Sequence, residues 1–165
     1  QKGNLEAHLG DLCSNNETLL TTIRNDLFQK IYPLVEEHFL DANNNNNDDG
    51  KYDCCWQPHI YDSLVIRYNA TAAGKQKCGA GQPLHRDLGV VSVNIMLNED
   101  FVGGGTLFED QLRDDEERMM KPITPIRTGH AIMHGSNRRH AGAGTVSGVR
   151  DILVLFITAS KQTKQ

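Results

Sequence analysis

Ile152-Leu153-Val154-Leu155-Phe156-Ile157 is the stretch on which the fold turns. A strand with one wet face alternates apolar and polar residues, and this one does not. Its side chains are apolar at both parities, so both faces must be covered, which predicts a buried strand. Working outward, short β-rich runs separated by glycine-containing turns occupy Ser63–Tyr68, Val90–Leu97, Thr106–Phe108, Ile123–Ile126, His130–Met133 and Ile152–Thr158. Strands joined by irregular connections, with no helices alternating between them, argue for antiparallel β structure in a sandwich or barrel.

Ahead of this region lies a helical one. Leu20, Ile23, Leu27, Ile31, Leu34 and Val35 recur at three- and four-residue steps, predicting a helical part over about residues 14–40 that covers one face of a sheet. Ser14-Asn15-Asn16-Glu17 has capping-box spacing at its start. Pro33 should kink the helix or open a second one, because it lacks the N–H that the interior of a helix requires. The asparagine-rich run 43–50 cannot bury anything and is expected to be a loop. The glycine-containing stretch Asn69–Pro83 reads as a loop leading into a site, and the charged stretch Glu109–Lys121 as a solvated excursion.

The 165 residues are enough for one domain with a real core and too few for two comfortable ones. A formal charge of −4, with scattered basic residues, gives no reason to expect nucleic acid or a membrane surface as partner. No apolar run approaches the ~20 residues of a membrane span. The polar opening Gln1-Lys2-Gly3-Asn4 has no signal-peptide character. Cys13, Cys54, Cys55 and Cys78 lack zinc-type Cys-x-x-Cys spacing and leave room for one or two disulfides. Asn16-Glu17-Thr18 and Asn69-Ala70-Thr71 fit the glycosylation pattern, a weak lean toward the endoplasmic reticulum or secretory pathway.

Three elements carry candidate chemistry. In His85-Arg86-Asp87, residues two apart in an extended segment point to one side, so an imidazole and a carboxylate can converge on one ion. Taken alone, the pair also fits a histidine salt-bridged at a strand end. His140, just before Ala141-Gly142-Ala143-Gly144, supplies a third ligand. Two histidines and one carboxylate form the facial set of non-haem iron(II) oxygenases, with positions left open for a co-substrate and dioxygen. A closed structural zinc site would want a fourth ligand. Arg150 stands two positions before the buried strand, where a permanent cation needs an anion to meet it. A dicarboxylate ligand would answer that need through the bidentate fork of the guanidinium, and so would a salt bridge to an acid of the chain. Gly103-Gly104-Gly105 reads as structural, His130 and His134 as non-ligands, and His8, His38 and His59 as surface or packing residues.

Together, Leu64–Tyr68, Leu84-His85-Arg86-Asp87, Ser92–Asn98, Phe101–Phe108, Met133-His134-Gly135, His140-Ala141-Gly142 and Gly148-Val149-Arg150 resemble the 2-oxoglutarate dioxygenases of the prolyl/lysyl hydroxylase superfamily. The lysyl hydroxylase (procollagen-lysine dioxygenase) catalytic domain is the nearer match, in the Asn-Ile-x-Leu-Asn and triple-glycine segments and in an arginine ten residues after the second histidine. The resemblance covers roughly residues 61–160. It implies a mainly β domain with flanking helices, a double-stranded β-helix (jelly-roll) core and an N-terminal helix on one sheet. It further implies iron(II) on His85, Asp87 and His140, 2-oxoglutarate held distally by Arg150 and contacted by Tyr68 and Asn94, dioxygen as oxidant and ascorbate as reductant. The activity implied is hydroxylation coupled to decarboxylation of 2-oxoglutarate to succinate, on peptidyl lysine or proline. A free amino acid or other small molecule is the alternative substrate, and a non-catalytic jelly-roll binding module the alternative class. The segment between Tyr68 and His85 is longer than the family's, and nothing before residue 60 matches it.

Overall fold

The computed structural model describes residues 4–40, 55–73, 80–109 and 121–162. Among the described residues, eight strands and three α-helices follow in the order β1 (Asn4–His8), α1 (Leu9–Leu12), α2 (Glu17–Val35), a π-helical turn (Glu36–Leu40), β2 (Cys55–Asn69), α3 (Ala70–Ala73), β3 (Ala80–His85), β4 (Val91–Met96), β5 (Phe101–Gly103), β6 (Thr106–Phe108), β7 (Ala131–Gly135) and β8 (His140–Gln162). All strand pairings are antiparallel.

The organising element is β8, which belongs to two sheets in turn. Its C-terminal part pairs with β2 on one side and with β4 on the other, giving a large sheet ordered β1-β2-β8-β4-β7. Its N-terminal part is flanked by β3 on one side and by β5 and β6 on the other, forming a smaller sheet. This is a double-stranded β-helix, mainly β with helices on one flank.

The two parities of Ile152–Ile157 serve different layers. Leu153, Leu155 and Ile157 join Val91, Val93 and Ile95 of β4 beneath Leu9, Cys13, Ile31, Val35 and Leu40 of the helical layer. Ile152 and Val154 face the other way, among Ile66, Tyr68 and Ala80, with Leu64 and Phe156 packed against them. Each fully buried aliphatic side chain here contributes roughly 1.5–3 kcal/mol relative to exposure, which is why the run is apolar throughout.

Several expectations change. The cap of α2 is Asn16, whose side chain accepts from the Leu19 N–H at 2.9 Å, and not Ser14, which sits in the turn after α1. The helix runs on through Pro33, and the expected disturbance arrives as the π-helical turn at Glu36–Leu40. Ile123–Ile126 is not a strand. Pro122 and Pro125 remove two ladder donors, Ile123 makes only an isolated bridge to Thr106, and Ile126 is 83% exposed. The glycine-rich residues after His140 continue as strand. β3 approaches closely there: a Cβ on Gly142 would lie 3.1 Å from the Gln82 backbone nitrogen, and one on Gly81 would lie 2.5 Å from the Gly142 carbonyl oxygen. The end of the expected 69–83 loop is strand β3, while 74–79 falls outside the described residues, as do the asparagine-rich run, positions 110–120, Cys54 and Cys78. Cys13 is a buried free thiol. Among the described residues no helix is long and apolar enough to cross a membrane.

Candidate active site

The site lies on the inner face, where the end of β3 and the start of β8 come together: His85 and His140 are register partners. His85, Asp87 and His140 each direct one ligand atom so that the three lie within 4.8 Å of one another. The Nε2 of His85 stands 3.4 Å from one carboxylate oxygen of Asp87, and the Nε2 of His140 stands 3.5 Å from the other. Cis ligands on one ion, with bonds of about 2.1 Å, sit about 3 Å apart, so these separations are on the scale of a shared cation.

The other imidazole nitrogens decide which atoms face inward. Nδ1 of His85 is 2.7 Å from the Pro83 carbonyl, and Nδ1 of His140 is 3.0 Å from the Arg138 carbonyl. A carbonyl only accepts, so Nδ1 carries a proton in each ring, and Nε2 is the nitrogen that faces the centre, donating to Asp87 when protonated and able to bind an ion when not. Asp87 is held from behind, its N–H donating to the Ser136 carbonyl at 3.1 Å. Burial pushes its carboxyl pKa up, but hydrogen bonds with His85 and Ser92 and the charges of His140 and His85 outweigh this and keep it below the usual range. The carboxylate is therefore ionised at neutral pH. A donor set of two lone pairs and one anion fits a divalent metal ion.

Arg150 enters the same cavity. The parity that turns Ile152 and Val154 inward turns Arg150 inward too, and it is only 4% exposed. Burial pushes its pKa down, which measures how poorly the charge is solvated. Its Nη1 is buried without a hydrogen-bond partner, and among the described residues no carboxylate pairs with it. The guanidinium carbon lies 5.0 Å from the centroid of the Tyr68 ring, a cation–π contact that offsets part of the desolvation. Gly104 makes the room: a Cβ there would fall 2.7 Å from Arg150 Cδ and 2.9 Å from Nη1, at a φ of +78° that side chains rarely adopt.

Tyr68 and Asn94 both line this cavity. Tyr68 is 1% exposed, and burial, partly opposed by the charge of Arg150, pushes its pKa up to about 12. Its hydroxyl stays protonated and can donate. Asn94 points inward on β4, as Ser92 does, opposite in parity to Val91, Val93 and Ile95. All six residues expected from the sequence thus line one cavity of about 60 Å³. A wider recess of about 410 Å³ adjoins it, with Glu6, Gln82 and His85 in common. A larger cavity, about 450 Å³, lies between α1, α2 and β2; it contains none of these six residues.

Other contributors were not anticipated. His134 is 3% exposed and packs its ring 4.4 Å from that of His140, with Phe108 edge-on behind it. Burial pushes its pKa down, so it is a neutral buttress, consistent with its reading as a non-ligand. Ser92 and Ser136 are fully buried and 3.0 Å apart. Ser92 shares the inward parity of Asn94, a signal that could have found it; Ser136 carries none.

No family model matches the chain, and no curated protein sequence matches it. Solved structures do. The epimerase SnoN, in complex with Fe3+, alpha ketoglutarate and nogalamycin RO, aligns with a TM-score of 0.54 and 14% identity over 98% of this chain and 66% of its own. A 2OG-Fe(II) oxygenase family oxidoreductase from Burkholderia pseudomallei aligns at 0.46 and 18% over 62% of this chain and 44% of its own. The viral collagen prolyl hydroxylase of Paramecium Bursaria Chlorella virus-1, a 2OG complex, aligns at 0.39 and 17% over 99% and 97%. The chain spans 27% and 51% of two further neighbours, EvdMO1 and AviO1 of Streptomyces viridochromogenes. At these identities the likeness is one of fold alone, carried by the alignment with SnoN over nearly the whole of this chain.

Proposed function

We propose that this protein is an iron(II)- and 2-oxoglutarate-dependent hydroxylase, with His85, Asp87 and His140 holding the metal and Arg150 anchoring the far carboxylate of 2-oxoglutarate. The observation that carries the reading is Arg150: a buried guanidinium, without a described acid partner, aimed into the cavity that holds the triad. A cation so placed is costly unless an anion completes it, and a dicarboxylate chelating the metal at one end presents its second carboxylate at a distance. With 2-oxoglutarate and dioxygen, the metal supplies the oxidising power for C–H hydroxylation, coupled to loss of carbon dioxide and formation of succinate.

The chain's own part is orientation and exclusion. The carbonyls of Pro83 and Arg138 fix both imidazole tautomers. Tyr68 and Asn94 offer polar contacts to the co-substrate from the inner wall, and Ile152 and Val154 keep that wall dry. Arg150 sets the orientation of the co-substrate before reaction. Ascorbate fits as the reductant that keeps the metal ferrous.

The preferred substrate is a peptidyl lysine or proline side chain, on the sequence resemblance. A small molecule is the second reading, and the wide fold match to an epimerase solved with nogalamycin RO favours it. Purified protein supplied with Fe(II), ascorbate and 2-oxoglutarate should form succinate, increasingly so with a productive peptide or small molecule. Binding of neither metal nor 2-oxoglutarate, with no succinate under any condition, would leave a binding module as the better account.

A further inference from the structure

We infer that Asn98 is the positioning residue for Arg150, its side-chain amide acting as the missing rung of the sheet where β8 changes partners. This rests on the proposed anchoring of 2-oxoglutarate by Arg150 and extends it to a residue that touches neither metal nor cavity.

On the β4 side, the pairing of β8 ends at Met96↔Ile152, and the next strand, β5, begins only at Phe101↔Gly148. Residues 149–151 thus lie in a gap between two strands, and Arg150 is at its centre. On the far side the ladder is continuous, through Asn69↔Val149, Tyr68↔Arg150 and Arg67↔Asp151 of β2. One side chain and one backbone N–H fill the gap. Asn98 Nδ2 donates to the Val149 carbonyl at 2.7 Å, and its Oδ1 accepts from the Asp151 N–H at 2.8 Å. The Leu97 N–H donates to the Asp151 carbonyl at 3.0 Å. A carboxamide has the donor and acceptor of a peptide group, and here it meets the backbone on both sides of Arg150 as a neighbouring strand would.

The consequence falls on the guanidinium. Its stem packs against Gly104, where there is no slack for even one carbon atom, and its head against Tyr68. Side-chain placement this tight follows the backbone that carries it. A shift of a few tenths of an ångström at residue 150 is transmitted to the end of the side chain. The Arg67–Asp151 ion pair, bidentate at 2.8 Å, steadies the β2 side but is more than half exposed at Arg67 and is the weaker support.

The test separates the two ends of the co-substrate. Protein loaded with Mn(II) under argon is titrated calorimetrically with 2-oxoglutarate and, separately, with oxalate, which chelates a metal but has no distal carboxylate for Arg150. Asn98→Ala should weaken 2-oxoglutarate by about 10-fold, the size usual for outer-shell partners, and leave oxalate within about twofold. Asn98→Asp, which keeps the acceptor for Asp151 and loses the donor to Val149, should show the same selective loss and serves if the alanine variant does not fold. Unchanged 2-oxoglutarate affinity, or equal losses for both ligands, would overturn the inference. Wild-type protein that binds oxalate but not 2-oxoglutarate would instead overturn the role of Arg150 on which it rests.

Discussion

The two faces of the large sheet are made by the same strands and differ in almost every physical respect. Outward, Val91, Val93, Ile95, Leu153, Leu155 and Ile157 meet the helices in an apolar cluster. Inward, the alternate residues of those strands and of β2 include Ser92, Asn94, Tyr68 and Arg150, with two buried polar atoms nearby, Arg150 Nη1 and His134 Nε2, lacking partners among the described residues. Unsatisfied groups of this kind cost about 1–3 kcal/mol each. The outer face supplies stability, and the inner face gives some of it up to hold a site, as functional sites commonly do. Parity along a strand is the switch between the two.

If that division is right, substitutions on the two faces should have separable effects. The largest is expected at Asp87. Asp87→Ala removes the only anionic ligand and should lower metal-dependent turnover by about a thousandfold or more, equivalent to roughly 4 kcal/mol, with a melting temperature in the metal-free protein little changed. Turnover at the wild-type level in that variant would remove the metal assignment. Arg150→Ala comes next: the apparent affinity for 2-oxoglutarate should fall by about 100-fold, in line with loss of one partner of a buried charge pair, while metal affinity holds. An unchanged 2-oxoglutarate requirement would mean that another cation anchors it. On the outer face, Leu155→Ala should cost about 2–5 kcal/mol of stability in denaturant titrations and leave the 2-oxoglutarate affinity of the folded protein unchanged. A selective loss of affinity there would break the comparison. Smallest is Asn16→Ala at the start of α2, expected to cost about 1 kcal/mol with no effect on any ligand.

How legible each face was in the sequence follows from the same contrast. The outer layer was readable because apolar side chains at fixed parity have no other explanation, and the helix that covers it repeats every three to four residues. Arg150 stood out because a permanent cation precedes an apolar strand, whereas His85, Asp87 and His140 drew notice only as a set of three and through the resemblance; the structure brings all four to one cavity. The N-terminal half of β8 was not. Gly142, Gly144 and Gly148 carry no side chain to reveal alternation, and strand propensity counts glycine against a strand; the close approaches of Gln82 to Gly142 and of Asp100 to Gly148 are long-range facts. Strand β1 was equally hidden. It is an edge strand with Leu5 69% exposed, and only its pairing with Leu64–Tyr68 defines it. Asn98 looked like the end of a motif, and its role appeared only when Val149 and Asp151, some fifty residues on, lay beside it.

The most direct test is diffraction from crystals of the protein grown under argon with Mn(II) and 2-oxoglutarate, using the anomalous signal to place the ion. The expected result is one manganese bound by Nε2 of His85, Nε2 of His140 and the Asp87 carboxylate, with the far carboxylate of 2-oxoglutarate paired to Arg150. Manganese held elsewhere, or Arg150 engaged by an acid of the chain with the ligand out of its reach, would contradict the account.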